Sequence, residues 1–137
     1  MGYWLLKSDP DTYGWAEMAR DGRTNWSGVR NYQASNNLKA MKKGDQALFY
    51  HSGGETAVVG LVEVVKEYYP DPSDAAGRFG MVDVRAAGAF KAPVTLAQIK
   101  AEPRLKDLAL LRQSRLSVVP IDDQSWKLIR AMGGGKA

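Results

Sequence analysis

The feature that most constrains this chain is a pair of apolar runs, Gln46–His51 and Thr56–Glu67, separated by Ser52-Gly53-Gly54-Glu55. Two such runs joined by a short glycine-containing connection read as a hairpin, an antiparallel pair. The second run is Val-rich and interrupted by Gly60. A glycine inside a strand marks a bulge or a close backbone approach, as at the corner of a small barrel. Tyr3 to Lys7 reads as a short buried strand stopped by Asp9-Pro10, since proline holds the residue before it extended. Trp15 to Arg20 makes a short helix ended by Gly22. Asn31 to Lys43 makes a better one, capped by Asn31, with Ala34, Leu38 and Met41 on one face and Gly44 as its stop.

After a Pro/Asp/Gly loop from Tyr68 to Phe79, Gly80 to Phe90 forms a third strand centred on Met81, Val82 and Val84. Thr95 caps a helix through Ile99, and Leu105 to Leu111 adds further turns after Pro103. Leu116 to Ile121 is a last strand. Asp122 with Ser125 resembles a capping arrangement for a final helix carrying Trp126, Ile129 and Met132. Strands and helices mix without βαβ regularity, so the expected fold is α+β: a bent, largely antiparallel barrel decorated with short helices.

A length of 137 residues fits one domain, expected over residues 1–132, with 133–137 as a flexible Gly-rich tail. The absence of cysteine excludes a disulfide scaffold, a thiolate nucleophile and cysteine-ligated metal sites. With His51 as the single histidine, no metal and no cofactor are expected. The N-terminal residues lack the basic and apolar regions of a signal peptide. The longest apolar-rich run, Ala57 to Val65, is too short to span a bilayer. The expectation is a soluble, cytoplasmic monomer with no membrane partner.

Charge is informative by position. From Arg20 to Lys43 there are six basic residues against Asp21 alone, and from Lys100 to Arg115 five against Glu102 and Asp107. From Glu63 to Asp83 the sign reverses, with five acids against Lys66 and Arg78. A mildly basic chain of net charge +4 with an uneven field suits a polyanion. Arg20, Arg23, Lys39, Lys42 and Lys43 are the candidates for contact with a nucleic-acid backbone. A solvated mixed surface is the competing reading.

Catalytic signals are weak. Ser8-Asp9 and His51-Ser52 supply the types of a Ser/His/Asp triad, but there is no Gly-x-Ser-x-Gly elbow, and adjacent strand residues face opposite ways. No phosphate loop or dinucleotide fingerprint is present. The more telling block is Asn25-Trp26-Ser27-Gly28-Val29-Arg30-Asn31-Tyr32. Tryptophan offers a stacking face, while Ser27, Asn31 and the backbone freed by Gly28 can read the edge of a planar heterocycle. Trp26 as plain core and Asn31 as a simple helix cap is the alternative. In the strand before the hairpin turn, Tyr50 and Ser52 share one face, expected toward a ligand, and His51 takes the other as an orienting neighbour.

Taken in order, Tyr3-Trp4-Leu5-Leu6-Lys7-Ser8-Asp9-Pro10, Trp26-Ser27-Gly28-Val29-Arg30-Asn31-Tyr32-Gln33-Ala34, Gly44-Asp45, Leu48-Phe49-Tyr50-His51-Ser52, Val59-Gly60, Tyr69-Pro70-Asp71 and Arg115-Leu116-Ser117-Val118 resemble the EVE domain family. The resemblance runs from Tyr3 to about Arg130. It implies a PUA-like bent β pseudo-barrel with helices, related to YTH domains, and a non-enzymatic reader of a modified base in DNA or RNA. Carried onto this chain, the pocket would be built from Lys7, Ser8, Trp26, Ser27, Gly28, Val29, Arg30, Asn31, Tyr50, His51, Ser52, Arg115, Leu116 and Ser117. The chain departs from the family pattern in having Asp9 where glutamate is usual, and in a shorter segment from Ser73 to Gly80. A small enzyme using His51 as base, or a small-molecule sensor in the same cleft, are the alternatives.

Overall fold

A computed structural model describes residues 2–134. Six strands, β1 (Tyr3–Ser8), β2 (Arg23–Asn25), β3 (Gln46–His51), β4 (Ala57–Pro70), β5 (Gly80–Thr95) and β6 (Val118–Ile121), form one mixed sheet. Helices α1 (Pro10–Tyr13), α2 (Trp15–Asp21), α3 (Tyr32–Ala40), α4 (Leu96–Ala101), α5 (Ala109–Arg112) and α6 (Asp123–Met132) accompany it. The strand order is β2-β5-β4-β3-β1-β6. The hairpin β3–β4 and the pairs β4–β5, β2–β5 and β1–β6 are antiparallel. Only β1 and β3 run parallel, because the chain crosses over through α1, α2, β2 and α3 between them.

The sheet is bent, as expected of a pseudo-barrel, and stays open rather than closing into a complete barrel. β2 and β6 are both edges, of three and four residues, too short to supply a closing ladder. Curvature comes instead from register shifts, at Phe49/Tyr50 between β3 and β4 and at four places along β4–β5. One of these lies between Val58 and Gly60, and a Cβ on Gly60 would sit 2.5 Å from the Trp15 ring. Gly60 is therefore a close approach as well as a bulge, and it lets α2 lie down on the sheet.

Leu5 and Leu6 point to opposite faces of β1 and are both fully buried, as are Leu48 and Phe49 of β3. The centre of the sheet is thus covered on both sides. α3 contributes Ala34 and Leu38, α6 contributes Trp126 and Ile129, and Trp126 stacks on Tyr3 at 4.3 Å.

Several boundaries differ from expectation for identifiable reasons. β4 runs through Tyr68–Pro70 and β5 beyond Phe90, since Tyr69 pairs with Met81 and Ala57 with Thr95. α3 ends at Ala40, short of Lys43, because two carboxylates capture the following backbone: Asp45 accepts from the Lys42 N–H at 3.0 Å and Glu67 from the Lys43 N–H at 3.1 Å. The segment after Pro103 divides into a 3-10 turn, Pro103–Leu105, and α5. Gly133 donates to the Ile129 carbonyl and accepts from Ala92, so it ends α6 rather than beginning a tail. The remainder of the expected tail, from residue 135, lies outside the described residues.

Candidate functional site

The end of β1, the short helix α1 and the edge strand β2 meet around a cavity of about 410 Å³ lined by Lys7, Ser8, Asp9, Thr12, Tyr13, Thr24, Asn25, Trp26 and Ser27. Each part is held by its own local chemistry. Pro10 opens α1 at a position where no N–H is needed, and the Asp9 side chain caps it by accepting from the Asp11 N–H at 2.9 Å. The Ser8 hydroxyl donates to the Tyr13 carbonyl and closes the turn across α1. On the opposite wall, the Trp26 N–H donates to the Val82 carbonyl at 2.7 Å.

Trp26 is 8% exposed and meets Phe49 edge-on at 5.6 Å. It belongs to the core and is also one of the residues that line the cavity. Lys7 reaches across the cavity's border, its Nζ donating to the Ser114 carbonyl at 2.8 Å while its N–H donates to Ser117 at 3.0 Å. Burial lowers the Lys7 pKa from its ordinary value. At the rim, the Tyr13 hydroxyl donates to Asp21 at 2.9 Å, and Asp21 pairs with Arg20 at 2.9 Å.

The remainder of the Trp26–Asn31 block, Gly28 to Asn31, lies outside this cavity's lining and braces it. Gly28 has φ +83°, a conformation that favours glycine. Its N–H donates to Asp71 at 2.8 Å, and Arg30 reaches the same carboxylate at 3.3 Å and the Ser73 hydroxyl at 2.9 Å. Burial pushes the Asp71 carboxyl up, but hydrogen bonds from Ser73, Gly28 and Arg30 outweigh this and hold it at about 2. Val29 is core, and Asn31 caps α3 by accepting from the Ala34 N–H at 2.9 Å.

Tyr50 is 3% exposed and packs in the core. Ser52 continues the β1–β3 ladder by donating its N–H to Ser8. His51 Nε2 accepts from the Trp15 N–H at 3.0 Å, so the imidazole fastens the start of α2. Burial lowers its pKa, with Glu17 opposing weakly. The Ser/His/Asp set does not assemble, because Ser8 and His51 are each committed to a backbone partner elsewhere. Leu116 is buried, Arg115 is exposed, and the Ser117 carbonyl accepts from the Lys7 N–H.

The five basic candidates fall in three places. Arg20 and Arg23 stand beside the cavity, paired with Asp21 and with Asp83 at 3.0 Å. Lys42 and Lys43 flank Gly2 and Trp4, at the other end of β1, about 17 Å away at the usual rise per strand residue. Lys39 lies over the Tyr68 ring at 5.4 Å.

Sequence reasoning missed Asp9, Thr12, Tyr13, Thr24 and Asn25 as lining residues, and missed Asp71 as the brace. The signal for Thr24 and Asn25 was Gly22, whose φ of +73° turns the chain out of α2 directly into β2. Among the described residues no three metal-ligating side chains cluster, and no helix is long and apolar enough to cross a membrane.

Comparison with known proteins agrees with this architecture. Thymocyte nuclear protein 1 of Gallus gallus is 34% identical over 164 aligned positions, covering 95% of this chain and 68% of the relative. A Rhodopseudomonas palustris protein solved by NMR is 47% identical and superposes with a TM-score of 0.93, covering 98% of this chain and 94% of that one. The crystal structure of the human THYN1 protein in complex with 5-methylcytosine containing DNA is 30% identical, with a TM-score of 0.92 and full coverage of both chains. The family model described as the EVE domain matches residues 2–132. With this match over almost its whole length, the chain belongs to the EVE domain family.

Proposed function

We propose that this protein is a non-enzymatic reader that holds one modified base of a nucleic acid in the cavity between β1, α1 and the Thr24–Ser27 segment. The observation that carries the reading is that Trp26 lines one cavity together with the hydrogen-bonding residues Ser8, Thr12, Thr24, Asn25 and Ser27. An apolar wall with a few convergent polar groups is how small planar ligands are held. The human relative of matching fold, bound to 5-methylcytosine containing DNA, supports the same class of ligand.

The energetics favour a site of this kind. Withdrawing a base from its stack costs a few kcal/mol. Contact with an aromatic returns about 1–3 kcal/mol, and edge hydrogen bonds supply the remainder. A buried methyl adds only about 0.8 kcal/mol, so selection for a methyl alone is modest, roughly fourfold.

The test is an affinity panel of short oligonucleotides, DNA and RNA, single- and double-stranded, with and without 5-methylcytosine and other modified bases. The expected outcome is a preference for one modified oligonucleotide, lost in Trp26→Ala by roughly 1–3 kcal/mol while circular dichroism shows a folded protein. Equal affinity across the panel, or parental affinity in Trp26→Ala, would contradict the reading.

A further inference from the structure

A second cavity, of about 350 Å³, adjoins the first and is lined by Asn31, Gln33, Gln113, Ser114, Arg115 and Leu116. Lys7 joins the two. It lines the first cavity, and its ammonium donates to the carbonyl of Ser114, a lining residue of the second. An ammonium has three donors, so with one spent on Ser114 two remain at the boundary.

At the second cavity, Gln33 Nε2 donates to Gln113 Oε1 at 2.7 Å, linking α3 to the end of α5. Both side chains stand on braced backbone. The Gln113 N–H is held by Ala109 and its carbonyl accepts from Leu116, while α3 is tied to β6 by Asn37, which donates to Val118 at 2.7 Å. That pairing leaves one acceptor, Gln33 Oε1, and one donor group, Gln113 Nε2, on residues that line the same cavity. A complementary donor and acceptor on an amide pattern is what reads the edge of a base, and unstacked single-stranded bases are the ones whose edges are free to be read.

We infer that the Gln33–Gln113 pair and Arg115 form a second nucleotide subsite for the neighbour of the base held in the first cavity, with Lys7 taking the phosphate between them. This rests on the reading of the first cavity as a base pocket. It adds that the protein binds an unpaired step of at least two nucleotides and has a preference at the flanking position. A duplex with one base withdrawn keeps the neighbour stacked and paired, and so leaves the second cavity unfilled.

The experiment compares 5-methyl-2′-deoxycytidine with single-stranded trinucleotides carrying central 5-methylcytosine and each of the four bases on either side, or the corresponding set for whichever modified base binds tightest in the panel. The parent protein is expected to bind the best trinucleotide at least tenfold more tightly than the nucleoside and to rank the flanking bases. Gln33→Ala and Gln113→Ala should each flatten that ranking, by about tenfold at the preferred flank, with nucleoside affinity kept. Trinucleotide binding with no flanking preference, or a preference that survives both substitutions, would overturn the subsite and leave the base pocket standing. A lower Tm in the two variants with an unchanged ranking would reduce the glutamine pair to a structural tie and also overturn it. Failure of every nucleoside and oligonucleotide to bind would overturn both readings.

Discussion

At the scale of single residues, the site is organised by groups that never enter it. Asp71 is the clearest: its carboxylate gathers the Gly28 N–H, the Arg30 guanidinium and the Ser73 hydroxyl and N–H, so the loop leaving Trp26 has one fixed course. Its folded pKa of about 2 lies below the ordinary 3.8. A depressed carboxylate adds stability that is present above the unfolded pKa and lost as pH falls through the folded one. Acid unfolding should therefore draw on this group between about pH 4 and 2. Asp71→Asn should lower stability at neutral pH by about 1–3 kcal/mol and remove that part of the acid transition. A variant with unchanged chemical denaturation would show that the brace contributes nothing.

His51 works in a comparable way on α2. Its pKa is lowered by burial, so the neutral imidazole that accepts from Trp15 is the form favoured by folding. Its contribution is complete above the ordinary value of 6.5 and declines as pH falls below it. Tm should stay level from about pH 8 to 6.5 and drop below that, with a smaller drop in His51→Gln. A binding curve whose strong pH dependence disappears in His51→Gln would instead put the imidazole on the ligand.

Among the elements, α2 and the β4 bulge are mutually dependent. Gly60 supplies the flat spot on which the Trp15 ring rests, and Trp15 in turn donates to His51. Gly60→Ala forces a methyl into that ring, with an expected cost of about 1–3 kcal/mol from overpacking, measurable as a lower Tm. Unchanged stability would mean the ring has room to move. The bulge was legible in the sequence because a lone glycine interrupts a Val-rich strand. The hairpin and the caps by Asn31, Thr95 and Asp122 were legible for similar reasons, since each rests on local chemistry. β2 was not, because three residues carry no periodicity and this strand exists only through pairing with Arg85, Val84 and Asp83 of β5. The early end of α3 was hidden for the same reason: Asp45 and Glu67 act on it from other parts of the chain.

For the whole molecule, the open bent sheet explains both what the sequence conveyed about the site and what it did not. Lys7, Ser8, Trp26 and Ser27 come together in one cavity, and they were readable as an aromatic and its polar company. Tyr50 was assigned to the ligand by strand alternation, but both faces of β3 are covered, so alternation could not single out a ligand-facing side. Charge along the chain likewise mixed two places. Arg20 and Arg23 stand at the cavity, whereas Lys42 and Lys43 lie at the far end of β1. On a short single strand, Arg23→Ala should reduce the slope of log affinity against log salt by about 0.7, and Lys42→Ala should leave it unchanged. The opposite pattern would move the backbone path to the Lys42 end.

Entry of one base into the cavity between β1, α1 and the Thr24–Ser27 segment can be followed by backbone amide NMR during titration with the tightest-binding modified oligonucleotide. The largest shifts are expected at Lys7–Asp9, Thr12, Tyr13 and Thr24–Ser27, together with the Trp26 indole N–H, and smaller ones around Gln33 and Gln113. Shifts centred on Gly2, Trp4 and Lys42–Asp45, with the Trp26 indole unmoved, would contradict it.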